Sequence, residues 1–289
     1  MVEIDALDAL DQLIWRRSGD AAAKAVKMHQ STVSRKTREV LQLLGLQMVQ
    51  RAGEWDLEGC HDFIRLERQL HQLHRLKSGA PLRLEGVFWW QPVLATPPAG
   101  WCTGVFNHLG LVRAQQLLRQ RVVDAWLIAP PDHPEEDDPD LAVVPLATMP
   151  VRLVVGKSHP LAGVRGVTFR DVHRFPTLAL PAGLLPKTEK RLQELGLWNS
   201  PVRMQFYDHD SWQGQCYDQA TINYGSGLSL AQQPHLTTLD LPLNFHSGDA
   251  LVVHRDLVSS PRIELLVRHL RGCLQRLIQH QHGFRLAAI

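Results

Sequence analysis

Residues 20–45, DAAAKAVKMHQSTVSRKTREVLQLLG, decide how the chain is read. The stretch predicts two helices joined by a tight turn. AAAKAV is a run of helix formers, and Asp20 is the expected N-cap of the first helix. Lys27-Met28-His29-Gln30 interrupts the pattern. A second helix then starts near Ser31, where Val33, Thr37, Val40, Leu41 and Leu44 fall on one face of a 3.6-residue period. The opposite face carries Gln30, Ser31, Thr32, Ser34, Arg35, Lys36 and Arg38. Residues 21–38 hold five Lys or Arg and no acid. This is the surface a helix needs in the major groove, because hydroxyls and amides reach base edges while cations neutralise phosphates. An amphipathic helix pair with a solvated basic face fits the charge pattern equally well.

Fixed offsets separate the two readings. Ser18, Ala21-Ala22-Ala23, Gln30, Val33-Ser34-Arg35 and Leu44-Gly45 stand, ungapped, where the winged helix-turn-helix of LysR-type transcriptional regulators has its small residue, alanines, Gln, Val-Ser-Arg and Leu-Gly. The stretch therefore resembles that family. Gly19 stands where the family has an aromatic, Asp20 where it has Thr or Ser, and Ser31 where it has proline. Asp20 and Ser31 are expected to take over the capping roles.

Upstream, Ile4, Leu7, Leu10 and Ile14, with Trp15 beside them, predict the first helix of this domain. Downstream, LQMVQRAGEWDL predicts strand, turn at Ala52-Gly53, and strand: a wing whose basic contact is Arg51, with Glu54 and Asp56 opposing phosphate. Residues 59–77 predict one helix on which Phe63, Leu66, Leu70 and Leu73 occupy a and d positions of a short coiled coil. The resemblance makes this a dimerisation helix. His71 and His74 are expected to be solvated.

Ser78-Gly79-Ala80-Pro81 reads as a hinge, followed by the strand and helix alternation of an α/β domain. Strands are expected at 82–88, 101–106, 125–129, 141–146, 151–155 and 250–253, with Met149-Pro150 as a break between two of them. Helices are expected at 111–122, 187–195 and 261–280. Gly225-Ser226-Gly227-Leu228 is read as a turn before a short strand. The resemblance implies a fold of class α/β: a winged helix-turn-helix at 1–58, a linker helix at 59–78, and a two-lobed, periplasmic-binding-protein-like effector domain at 79–289. Lobe I would comprise 79–149 and 246–289, and lobe II 150–245.

Ligands of such domains bind between lobes, where helix N-termini offer backbone N–H groups to anions. The expected cleft residues are Trp89, Trp90 and Gln91 from the first lobe and Gly183, Lys187, Asp208, His209 and Trp212 from the second. Pro92, Pro97 and Pro98 work against the helix that would normally follow the first strand. The run Glu135-Glu136-Asp137-Asp138 is read as a solvated loop rather than a cation site.

Composition excludes several classes. A net charge of +2 gives no global basic field, and the first 60 residues carry eight Lys or Arg against nine Asp or Glu, so DNA binding must rest on a local patch. Four separated cysteines with no CxxC predict neither zinc nor a disulfide framework, and they are expected to be buried thiols. No metal and no cofactor is expected. The acidic, amphipathic start is no signal peptide, and no run of about 18 apolar residues exists, so no membrane contact and a cytoplasmic location are expected. The absence of GxSxG or metal-ligand spacing argues against an enzyme. The expected partners are double-stranded DNA, a second copy of the chain in a homodimer or homotetramer, and a small-molecule effector. The acidic wing motivates an alternative: a small-molecule binding protein whose helix-turn-helix has decayed.

Overall fold

A computed structural model describes residues 1–107, 110–181, 183–197, 200–202 and 220–287. The chain divides into two compact units: 1–85 with 97–105 and 113–126, and 86–96 with 106–112 and 127–289.

The first unit opens with three helices, α1 (Ile4–Arg16), α2 (Gly19–Val26) and α3 (Gln30–Leu44). Ala9 and Leu13 of α1, Ala22 and Ala23 of α2, and Val33 of α3 form one buried cluster. The alanines matter because a side chain without a γ carbon lets the helices cross closely. The turn between α2 and α3 is closed by Lys27 in the left-handed conformation, with the Met28 N–H donating to the Ala23 carbonyl. Capping departs from expectation. Ser18, not Asp20, is the N-cap of α2, its Oγ accepting from the Ala21 N–H at 3.4 Å; Asp20 lies inside the first turn. His29 occupies the N-cap of α3, and Ser31 is already helical.

Strands β1 (Gln47–Arg51) and β2 (Glu54–Glu58) pair antiparallel around Ala52 and Gly53. Both turn residues have positive φ, 49° and 80°, as a tight two-residue hairpin loop requires. Glu54 faces inward rather than toward solvent, pairing with Arg17 at 3.4 Å and with Arg113 at 3.2 Å.

Helix α4 (Asp62–Ser78) follows. One of its faces buries Ile64, Arg68, His71, Gln72 and Arg75. His71 is therefore not solvated as expected, and burial holds its imidazole below its ordinary pKa. Completing the unit are β3 (Leu82–Glu85), parallel to both β4 (Trp101–Thr103) and β5 (Ala125–Ile128), and helix α5 (Leu111–Arg119). Helix α5 begins in the second unit, and β5 runs on into it. The expected long strand at 82–88 ends at Glu85, since Phe88–Trp90 form a 3-10 turn.

A buried ionic network ties these pieces together. Arg83 of β3 reaches Asp8 and, at 3.1 Å, Asp11, both on α1. Arg68 of α4 reaches the other oxygen of Asp11 at 2.8 Å. Asp124 accepts from Gln72, Arg75 and the Arg83 backbone at 2.8–2.9 Å. Burial alone would disfavour the charge on Arg83, but Asp8, Asp11 and Asp124 outweigh it and hold the guanidinium above its ordinary pKa. Nearby, the Trp15 indole donates to Glu85 at 2.5 Å.

In the second unit β6 (Leu141–Pro150) and β12 (His246–His254) form a long antiparallel pair, with β13 (Arg285–Leu286) on the other edge of β6. Met149-Pro150 does not interrupt β6, contrary to expectation. A register shift at Asp249/Ala250 lies beside Pro145, which has no N–H for the ladder. Strand β7 (Arg152–Gly156) lies between β10 (Asn223–Gly225) and β11 (Leu236–Thr238), and β8 (Leu178–Pro181) is parallel to β9 (Ser200–Val202). The helices are α6 (Phe169–Val172), α7 (Pro186–Glu194), α8 (Gly227–Ala231) and the closing α9 (Pro261–Ile278). Gly225-Ser226-Gly227 ends β10 and opens α8, rather than preceding a strand. A Cβ on Gly227 would meet the Met149 sulfur at 2.4 Å, so a larger residue there would have to push that side chain aside. Of the cysteines, Cys273 is buried as expected, whereas Cys60 is exposed and Cys102 half-buried; Cys216 lies outside the described residues.

Candidate nucleic-acid interface and ligand cleft

Helix α3 turns Val33, Thr37 and Val40 into the core, which leaves Gln30, Ser31, Ser34, Arg35 and Arg38 on its exposed side and Thr32 at the margin. Ser31, Ser34, Arg35 and Arg38 follow the i, i+3, i+4, i+7 spacing of a single face. Arg35 pairs with Glu39 at 2.9 Å, and the Arg38 Nε–H donates to the Ser34 carbonyl at 3.2 Å. Both guanidiniums remain at the surface, where such pairs are weak and exchangeable. Lys36 is placed differently. Its ammonium reaches back to Asp5 at 2.9 Å and Glu3 at 3.2 Å, and its side chain is only 12% exposed. It staples α3 to the start of α1 instead of joining the polar face. The Gln30 side chain lies over Gly19, where a Cβ would meet its Nε2 at 2.7 Å. Arg51 of the wing is exposed and pairs with Glu58.

The expected coiled-coil stripe lies on the outer side of α4. Phe63 is 65% exposed, Leu66 59%, Leu70 46% and Leu73 41%. Four large apolar side chains in a row on one helix face, with the opposite face buried, form a patch that water penalises.

A mostly apolar cavity of ≈ 80 Å³ in the second unit is walled by Phe88, Trp89, Val151, Leu180, Leu184 and Tyr224, with Thr188 at one side. Of the described cleft candidates, Trp89 lines it, stacking edge-on against Phe88 with centroids 5.1 Å apart. Trp90 is fully buried core; Gln91 and Gly183 are exposed and lie outside the cavity wall. Lys187 gives its ammonium to Glu135 at 2.6 Å. Asp208, His209 and Trp212 lie outside the described residues.

Two acids that no sequence pattern singled out hold this region. Asp249 is completely buried and accepts from the Trp90 indole at 2.7 Å and the Trp89 indole at 3.4 Å. Burial pushes its pKa up to about 6, and the two indole donors only partly offset this. The sign follows from linkage. A carboxyl whose folded pKa lies above its unfolded value costs stability once pH exceeds the folded pKa, and costs nothing below the unfolded one. Asp249→Asn, which keeps an acceptor for the indoles, is therefore expected to raise stability by ~3 kcal/mol at pH 7.5. The gain should vanish below about pH 4. Urea titrations of both proteins at the two pH values check this; a gain independent of pH would contradict it.

Asp132 is the second acid. Helix α7 starts with Leu185 as N-cap, which has no side-chain acceptor, and Pro186, which has no N–H. The next two amides are the orphan donors of the first turn. Asp132 takes both, accepting from the Lys187 N–H at 2.6 Å and the Thr188 N–H at 3.1 Å, and also from the Thr188 hydroxyl at 2.6 Å. The sequence signal was the acidic, proline-rich loop PPDHPEEDD, but its partner lies 56 residues away.

Among the described residues there is no cluster fit for a metal ion, and no helix is long and apolar enough to cross a membrane. The model of the LysR substrate binding domain matches residues 109–274. No curated protein matches the sequence. Several solved structures share the fold over almost the whole chain. A full-length OxyR variant from Pseudomonas aeruginosa is 13% identical with a TM-score of 0.59, covering 98% of this chain and 99% of its own. ArgP from Mycobacterium tuberculosis is 15% identical with a TM-score of 0.54, covering 94% and 97%. Full-length CbnR, in complex with its target DNA, is 16% identical with a TM-score of 0.53, covering 94% and 99%. The N-terminal helix-turn-helix with its wing, followed by an α/β domain that matches the family model over more than half the chain, places this protein in the family of LysR-type transcriptional regulators.

Proposed function

We propose that this LysR-type regulator grips duplex DNA through the polar face of α3, with Ser31, Thr32, Ser34 and Gln30 against base edges and backbone and with Arg35 and Arg38 on guanine or phosphate. Arg51 of the wing adds one backbone contact. Lys36 acts on α3 itself, holding it to α1. The assignment divides the chain into a DNA-binding domain at 1–58, a linker helix at 59–78 and an effector domain at 79–289, with lobes at 79–149 plus 246–289 and at 150–245. The exposed stripe of Phe63, Leu66, Leu70 and Leu73 pairs two copies, so that two recognition helices meet a repeated operator. A two-state change around the cleft at Trp89 would alter how those helices are presented. The protein acts in the cytoplasm, where its DNA lies.

The observation that carries this reading is the placement of Ser31, Ser34, Arg35 and Arg38 on one solvent-facing side of α3, backed by an inner side of Val33, Thr37 and Val40 turned into the core. Arg35→Ala tests it. Loss of one bidentate contact corresponds to ~1–3 kcal/mol, roughly a 5- to 150-fold weaker affinity for a bound genomic fragment at fixed salt. The elution volume on size exclusion should stay unchanged. Unaltered affinity would remove Arg35 from the interface.

A further inference from the structure

The wing is gripped from outside residues 1–58. Arg113 lies in the first turn of α5, 58 residues beyond Trp55, and is 7% exposed. Its guanidinium is packed between the end of α1 and β2. Nη2 donates to the Trp55 carbonyl at 2.6 Å and to the Ile14 carbonyl at 3.4 Å, and Nε lies 3.2 Å from the Glu54 carboxylate. All four residues belong to the first compact unit. The Ile14 carbonyl is among the last four of α1, which have no amide partner within the helix. Glu54, expected from the sequence to oppose phosphate, is turned inward between Arg17 and Arg113. A two-stranded hairpin is marginal in water by itself, so its pose follows what holds its inner side. Here the strand register puts Glu54 opposite Arg51 and Trp55 opposite Gln50. Arg113 therefore holds β2 at the two positions that face the end of β1 carrying Arg51.

We infer that Arg113 is a positioning residue for DNA binding: it fixes the wing, so that the DNA-binding domain at 1–58 is completed by a side chain of the effector domain. This rests on the reading of the wing as a backbone contact, but the hold on the wing is measurable without DNA. Buried as it is, Arg113 neutralises no phosphate itself; it keeps Arg51 where a phosphate can be met. Losing it removes two charge-assisted hydrogen bonds and an ion pair that join α5 to β2 and α1. Helix α3 keeps its own anchorage through Val33, Thr37 and Val40. The wing should loosen while the recognition helix stays in place.

The experiment compares the full chain as wild type, Arg51→Ala, Arg113→Gln and the double variant, with two readouts. In amide hydrogen exchange without DNA, the β1 and β2 amides of Arg113→Gln should exchange ~10-fold faster or more, with those of α3 unchanged. In anisotropy titrations of a labelled duplex over a salt series, Arg51→Ala and Arg113→Gln should each lower the slope of log Kd against log salt by about one. The double variant should also lose about one, not two, because both changes remove the same contact. A general loss of stability would speed exchange in α3 as well and leave the slope alone. If Arg113→Gln gives no cooperative unfolding, Arg113→Lys, a point charge that still pairs with Glu54 but cannot span both carbonyls, replaces it. Unchanged exchange in the wing, an equal rise in α3, or a slope lowered by two in the double variant would overturn the inference. So would a slope that falls in Arg51→Ala and not in Arg113→Gln. If Arg51→Ala itself leaves the slope unchanged, the wing contact of the operator reading fails, and the exchange readout alone decides whether Arg113 holds the wing.

Discussion

Replacing Arg83 with methionine should lower the stability of the chain by about 3–5 kcal/mol, because it leaves the buried Asp11 carboxylate short of a cation. Arg83 is the one residue that touches all three acids of the network: Asp8 and Asp11 through its guanidinium and Asp124 through its backbone N–H. Methionine keeps the backbone bond to Asp124 but deletes both side-chain pairs. Asp11 then retains only Arg68, at 1% exposure, where solvent cannot replace what is lost. Removing the charges together should cost far less: Arg83→Met and Arg68→Met with Asp8→Asn and Asp11→Asn exchanges an ionic core for a weakly polar one. Urea denaturation followed by tryptophan fluorescence reports the difference. A single-variant loss below about 1 kcal/mol would show that the network is not the brace between α1, α4 and β3 that its geometry describes.

The second large effect is expected at the outer face of α4. Leu66→Glu with Leu70→Glu places two negative charges in a stripe that is exposed in one chain, so the fold itself should be unaffected and the far-UV circular dichroism spectrum unchanged. Association should not survive, since like charges would meet across the helix pair. Sedimentation at micromolar concentration should show a monomer for this variant and a dimer or larger for the wild type. With the second recognition helix no longer delivered, affinity for a repeated operator should fall by about 100-fold or more. An intact dimer would move the interface elsewhere on the chain and leave the stripe without a role.

The DNA-binding region was legible because its information is local. Val33, Thr37 and Val40 recur at helical spacing, so the polar side of α3 could be read without knowing any tertiary contact. The same holds for the apolar stripe of α4 and the Ala52-Gly53 turn. Lys36 was misleading for the opposite reason: its spacing suits the basic face, but Glu3 and Asp5, more than thirty residues away, claim it. His71 belongs to the same class, since its burial depends on what packs against α4. The cleft was least legible. Trp90 reads like its neighbour Trp89, yet one is core and the other wall, and the acid that both indoles share, Asp249, lies some 160 residues on. Lys187 was expected in the cleft from the resemblance alone. Its pairing with Glu135, and the capping of α7 by Asp132, depend on a loop whose composition suggested only solvation.

Operator binding by this chain requires the exposed side of α3 to meet the phosphate backbone. The direct measurement is fluorescence anisotropy of a labelled duplex titrated with the full chain over a series of salt concentrations. The expected result is binding that weakens linearly in log Kd against log salt, with a slope of about 0.9 for each phosphate neutralised, and a slope reduced by about one in Arg38→Ala. No binding at low ionic strength, or an affinity indifferent to salt, would contradict it.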